Sequence, residues 1–142
     1  MTSPSVASVR TALATQLSTI TGLHGYDYSP SVPDVPCVIV SLPSIPEDLT
    51  FQSGLERHDY TVTVLVGMSD IVTSETRLAG YLSAEGATSI KANLNTKGPD
   101  ALGVTGVYEI RVTSRRALSP GELGEESYLS AVFEVSVYQR GA

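Results

Sequence analysis

Arg57-His58-Asp59-Tyr60-Thr61-Val62-Thr63-Val64-Leu65-Val66-Gly67 is the stretch on which the fold turns. Tyr60, Val62, Val64 and Val66 alternate with Thr61, Thr63 and Leu65. β-Branched and aromatic residues at period two suit a half-buried pleated surface, so the stretch reads as a strand. Gly67 ends the run. Ser69-Asp70 offers a cap for a helix with Ile71, Glu75, Leu78 and Leu82 on one side, Glu75 breaking the apolar stripe. Gly86 interrupts this helix, and Thr88 is placed to cap a shorter piece, Ser89–Asn95, where Ile90 and Leu94 stand four apart. A strand thus feeds a broken helix able to fold back over a sheet.

Upstream, Ser3-Pro4 reads as a helix entry, a capping residue followed by proline at the first position. Val6, Val9, Leu13, Leu17 and Ile20 then recur at helical spacing up to Gly22, giving an amphipathic helix. Leu23–Val35 is a connector with Pro30 and Pro33. Cys37-Val38-Ile39-Val40-Ser41-Leu42, opened by Pro36, is near-continuously apolar, as a strand buried on both faces would be. Pro43–Glu56 is a long loop carrying Ile45, Leu49, Phe51 and Leu55, either a cover for the core edge or an arm that meets a neighbour.

Downstream, Thr96–Gly103 reads as a turn region. Val104–Thr113 is a strand with Tyr108, Ile110 and Val112 on one side. Ser114–Ser127 reads as a second long loop, with Arg115-Arg116 at one end and Glu122, Glu125 and Glu126 at the other. Tyr128–Tyr138 is the last strand, its apolar face Leu129, Ala131, Phe133, Val135 and Val137. The expected architecture is α+β: a four-stranded, mostly antiparallel mixed sheet, helices packed on one face, two long hairpin loops, one domain over residues 1–142. The expected core includes Leu13, Leu17, Val62, Val64, Leu78, Ile110, Phe133 and Val135.

Length and composition bound function more than they specify it. The chain has 142 residues, room for one core. It is 42% hydrophobic, which opposes wholesale disorder. Its one cysteine, Cys37, excludes an internal disulfide and reads as a small core hydrophobe. No apolar run approaches the roughly 20 residues of a membrane span. The start lacks the basic and apolar regions of a secretory leader, so the expected site of folding is a cytoplasm.

Chemistry-bearing constellations are missing from the pattern. Zinc sites want three or four Cys and His ligands; Cys37, His24 and His58 are far apart in sequence. His58 and Asp59 are adjacent on a strand and so point to opposite faces, which is no base–nucleophile arrangement. His58 reads as a strand-edge polar residue and His24 as a turn residue. Lys97-Gly98-Pro99 lacks the order and context of a phosphate loop. Glu47-Asp48 and Glu122/Glu125/Glu126 do not match an EF-hand and read as solvated loops. No catalytic residue, cofactor or metal is expected.

The order and spacing of several runs resemble the tail terminator proteins of long-tailed phages that infect actinobacteria. These are the opening stretch with its Ser-Asp helix start, Leu78-Ala79-Gly80-Tyr81-Leu82, Gly86-Ala87-Thr88-Ser89-Ile90-Lys91-Ala92-Asn93-Leu94, Val104-Thr105-Gly106-Val107 and Phe133-Glu134-Val135-Ser136-Val137-Tyr138. The likeness covers most of the chain. It implies a fold similar to lambda-type tail terminators, a mixed α/β subunit assembling into a six-membered ring that caps the head-proximal end of the tail tube. Implied partners are copies of itself, the tail tube protein and head-completion proteins. DNA would pass through the lumen without specific binding, and the place of action would be the virion, after assembly in the host cytoplasm. A head–tail connector, a tube subunit of related fold, or a small cytoplasmic enzyme with an inter-subunit site are the alternatives. From loop composition, Phe51, Leu55, Arg115, Arg116, Leu118 and Leu123 are the expected interface residues.

The net charge of −6 generates a prediction of its own. Tight duplex binding needs clustered Lys and Arg that release phosphate counterions. The free protein is expected to show no tight duplex affinity at physiological salt in a fluorescence-anisotropy titration. Submicromolar, salt-sensitive binding would contradict this.

Overall fold

The computed structural model describes residues 4–28, 30, 35–45, 55–67, 71–97, 100–118 and 128–140. Ser5 Oγ accepts a hydrogen bond from the Ser8 amide at 3.1 Å, so α1 (Val6–Leu17) starts one turn's edge later than the Ser3-Pro4 entry expected from the sequence. Val9, Leu13 and Leu17 bury its stripe. The helix stops at Leu17 rather than at Gly22, and Ile20 is buried in the turn that follows. Gly22, with φ 81°, completes the reversal.

The chain then forms β1 (His24–Tyr26), a strand that its glycine-centred, polar sequence did not signal. A side chain at position 25 would strike the Ala14 carbonyl and the Ser18 hydroxyl of the adjoining helix end, so glycine is what lets β1 lie against α1. β2 (Cys37–Val40) follows, then β3 (Leu55–Gly67), α2 (Ile71–Leu82), α3 (Ile90–Leu94), β4 (Thr96–Lys97), a 3₁₀ turn at Ala101–Gly103, β5 (Val107–Leu118) and β6 (Tyr128–Arg140). Ser89, rather than Thr88, caps α3: its Oγ accepts from the Ala92 amide at 3.1 Å. The Ser69-Asp70 cap expected for α2 lies outside the described residues.

Among the described residues the sheet is mixed and has six strands in the order β1-β2-β3-β6-β5-β4. The expected four-stranded sheet is its centre, and the two short strands β1 and β4 extend it at either edge. β1 runs parallel to β2; the other pairs are antiparallel. Two segments expected as loop belong to strands. Leu55 and Glu56 open β3 because the long β6 supplies partners out to Arg140. Ser114–Leu118 continue β5, paired to β6 as far as Leu118 opposite Ser130. A register shift between Val107 and Glu109 explains a third correction. The extra residue changes the alternation, so Val107 enters the core and Tyr108 points out.

Val62, Val64, Val66, Ala131, Phe133, Val135 and Val137 line one sheet face. They share a single apolar cluster with Val9, Leu13 and Leu17 of α1, Leu78 and Tyr81 of α2, and Ile90 and Leu94 of α3. All helices therefore cover one face. In α2 the buried positions are Ser74, Leu78 and Tyr81, spaced four and three apart, with Glu75 left in solvent. β2 is buried on both sides, with Val38 opposite Val64 on the helix side and Cys37 opposite Leu65 on the other, but it ends at Val40: Ser41 and Leu42, expected in the strand, lie beyond it, and Leu42 is exposed.

Leu17 and Phe133 are fully buried at opposite walls of this core. Leu17→Ala or Phe133→Ala is expected to destabilise the fold by about 2–5 kcal/mol in chemical denaturation, because truncation leaves a cavity as well as losing apolar burial. Unchanged stability in both variants would contradict the assignment of helix and sheet to one core.

Candidate functional site

No described helix covers the other, open face of the sheet; Cys37, Leu65, Ser130 and Leu118 are buried at one end of it, while Arg57, Asp59, Glu134 and Tyr138 are half-buried toward the other. Strand alternation brings Arg57, Asp59, Thr61 and Thr63 of β3 to that side, opposite Tyr138, Ser136, Glu134 and Val132 of β6. Asp59 Oδ1 accepts from Ser136 Oγ at 2.8 Å and lies 3.1 Å from Arg57 Nε, an ion pair without hydrogen-bond geometry. Thr61 donates to Glu134 at 3.4 Å, and Arg111 donates to Glu109 at 2.8 and 3.1 Å. Arg57, Asp59, Thr113, Glu134, Ser136 and Tyr138 line a shallow hollow of about 340 Å³. Its carboxylates are engaged by hydroxyls and guanidinium groups. Serine and acid meet here, but His58, the nearest base in sequence, lies on the opposite face.

His58 corrects another expectation. It is not an exposed edge residue: β6 pairs with it on one side, Ser44 bridges the adjoining Asp59 on the other, and His58 is 3% exposed on the helix side, opposite Val137. Its Nε2 is 2.9 Å from Glu56 Oε1, while Nδ1 has no partner among the described residues. Gln139, opposite Glu56, donates from Nε2 to the Pro4 carbonyl at 3.1 Å, and its Oε1 is likewise unpartnered there. The Tyr60 hydroxyl completes a row of buried polar groups on the two central strands. No group of three or more His, Cys, Asp or Glu side chains able to hold a metal occurs among the described residues.

The expected interface residues do not gather in one place. Phe51 and Leu123 lie outside the described residues. Leu55 opens β3 opposite Arg140 and is half-buried. Arg115 and Arg116 are exposed on β5, opposite Phe133 and Val132, so strand alternation sends them to different faces. Leu118 is only 7% exposed and lies opposite Ser130. About 33 Å of β6 separates Ser130 from Arg140, at roughly 3.3 Å per residue. The two long connections thus leave the sheet at opposite ends.

At the Leu118 end, Leu78, Ala79, Leu82, Ala117, Leu118 and Leu129 line an apolar groove of about 320 Å³ beside α2. Leu78 and Leu82 were legible as a helix stripe, but only the approach of β5 and β6 makes them walls of a groove. Along β5, two further hollows of about 340 and 380 Å³ follow one another. Asn95, Lys97 and Arg111 border the first; Lys91 and Arg115 border the second. Sequence reasoning missed Lys91 and Lys97, because the approach of Lys91 to Arg115 and of Lys97 to Arg111 depends on tertiary packing of α3 and β4 on β5. No protein-family model and no curated protein matches the chain. No helix among the described residues is long and apolar enough to cross a membrane.

Burial pushes the Tyr60 phenol up to about 12 from its ordinary 10, opposed by the positive charge of Arg10. The unfolded chain therefore ionises this tyrosine before the folded one does. Its share of stability is complete below pH 10 and is lost as pH rises toward about 12. Tyr60→Phe should flatten the fall of the melting temperature over that range. At neutral pH the change should be close to neutral, since it removes a buried hydroxyl with no partner among the described residues. An unchanged alkaline slope would contradict this.

Proposed function

We propose that this chain is a structural subunit of a phage tail, forming a ring at the head-proximal end that stops growth of the tube and receives the head-completion proteins. The observation that carries this reading is the disposition of its two long connections, which leave opposite ends of one sheet. A ring subunit must present different surfaces to its two ring neighbours, and to the tube below and the head above. Departure points about 33 Å apart along the strand direction suit separate contacts. The order and spacing of the motifs supply the phage assignment, and the α+β frame with helices on one face agrees with the subunit that the resemblance implies. The open face supports it too: its carboxylates are tied up in ion pairs and hydroxyl contacts, a stable surface rather than a reactive one.

A partner with an apolar centre and polar rim fits the composition of the connections. Phe51→Asp together with Leu55→Asp is expected to leave circular dichroism and melting nearly unchanged while abolishing ring formation or tail-length control, since unpaired charge would enter an apolar contact. Loss of folding would place these residues in the core, and normal assembly would move the contact elsewhere. Quantitative mass spectrometry of purified tails tests the role itself. About one ring per tail is the expected result; hundreds of copies would make the protein a tube subunit, and its absence from particles would overturn the reading.

A further inference from the structure

His58 and Gln139 carry polar atoms that neither central strand satisfies. Both side chains lie on the helix-covered side of the β3–β6 pair, 3% and 1% exposed. Val137 stands opposite His58, and Gln139 opposite Glu56, so His58 and Gln139 are diagonal neighbours. Such neighbours on one face of a sheet have Cα atoms about 7–8 Å apart, within reach of long side chains.

The partners already in place fix which atoms donate and which accept. A carboxylate only accepts, so His58 Nε2, 2.9 Å from Glu56 Oε1, carries the ring hydrogen. In the neutral ring Nδ1 is then an acceptor. The Gln139 carboxamide is oriented as well: Nε2 donates to the Pro4 carbonyl at 3.1 Å, which leaves Oε1 as its other end, an acceptor. Neither Nδ1 nor Oε1 has a partner among the described residues, and the Tyr60 hydroxyl, the nearby donor on β3, reaches neither. Two acceptors cannot satisfy each other, and a buried polar group left without a partner is costly. What suits two buried acceptors is a small molecule with two donors. Water has two, and buried waters characteristically bridge such groups. An anion would only add a further acceptor.

We propose that His58 Nδ1 and Gln139 Oε1 bind one internal water, which donates to both and ties the entry of α1 to the central strand pair. The link runs from the imidazole through the water to the Gln139 carboxamide, and from its Nε2 to Pro4, immediately before the Ser5 cap of α1. The water's contribution is orientation: with Oε1 held, Nε2 stays on the Pro4 carbonyl. The site does not depend on the tail reading.

The test is a high-resolution crystal structure of the full-length protein, together with NMR of the same chain at neutral pH. The density is expected to show a water within about 3.2 Å of both Nδ1 and Oε1. In solution the His58 ring should carry its hydrogen on Nε2 alone, and its carbon-bound protons should show a cross-peak to a long-lived water. Gln139→Met keeps the length of the side chain and removes both amide groups; it should lose that cross-peak while circular dichroism is retained. If this variant does not fold, the measurements on the unaltered chain decide. The proposal is overturned by direct contact between Nδ1 and Oε1, by a site without water density, by a ring protonated on Nδ1 at neutral pH, or by a cross-peak that survives Gln139→Met.

Discussion

The structure depends on the pairing of β3 with β6, thirteen consecutive residues against thirteen, from Leu55 opposite Arg140 to Gly67 opposite Tyr128. Backbone hydrogen bonding over that length fixes register, and register fixes which side of the sheet every side chain faces. A slip of β3 by one residue would turn Val62 and Val64 toward the open face and bring Asp59 under the helices. Both strands are central, so this pair joins the β1–β2 side of the molecule to the β4–β5 side. The helices follow from it. They bring the stripes Val9-Leu13-Leu17, Leu78-Tyr81 and Ile90-Leu94 to the one continuous apolar surface the pair creates.

That surface is why the core was legible in the sequence. All eight residues expected in it are buried, because each lay in a run whose period, two or 3.6, survives into three dimensions. The failures have a common cause. β1 and β4 are held by neighbours rather than by their own propensity: Gly25 is a strand residue because α1 and β2 leave it that place, and Thr96-Lys97 because β5 pairs with them. The residues reassigned from loops to β3 and β5 include the charged or polar Glu56, Ser114, Arg115 and Arg116, and they are in strands because β6 is long enough to pair with them. Tyr108 was misplaced by a bulge, which no alternation pattern reveals. His58 looked like an edge residue because sequence does not say that β6 returns to cover β3.

The candidate contact surface was less legible still. Of the six residues expected there, Leu55 and Leu118 mark opposite ends of the sheet, and Arg115 and Arg116 face different sides of one strand. Composition identified side chains suited to contacts but not their grouping, since grouping is a property of register. Lys91 and Lys97 show the converse. Each is ordinary in its own element, and they come to border hollows along β5 only because α3 and β4 stand beside it.

The placement of these cations bears on how an acidic chain approaches any partner. Copies carrying −6 repel one another at long range, and repulsion grows as salt falls. If the positive groups were spread evenly, every approach would be comparably unfavourable. Five of the nine cations, Lys91, Lys97, Arg111, Arg115 and Arg116, belong to α3, β4 and β5 at one edge of the sheet. Clustered positive charge makes the attraction of an acidic group directional. Directional, non-self-complementary attraction leads to a ring when the rotation per subunit closes and to a filament when it does not. Side-chain electrostatics can set the direction of association, whereas the twist between successive sheets decides closure.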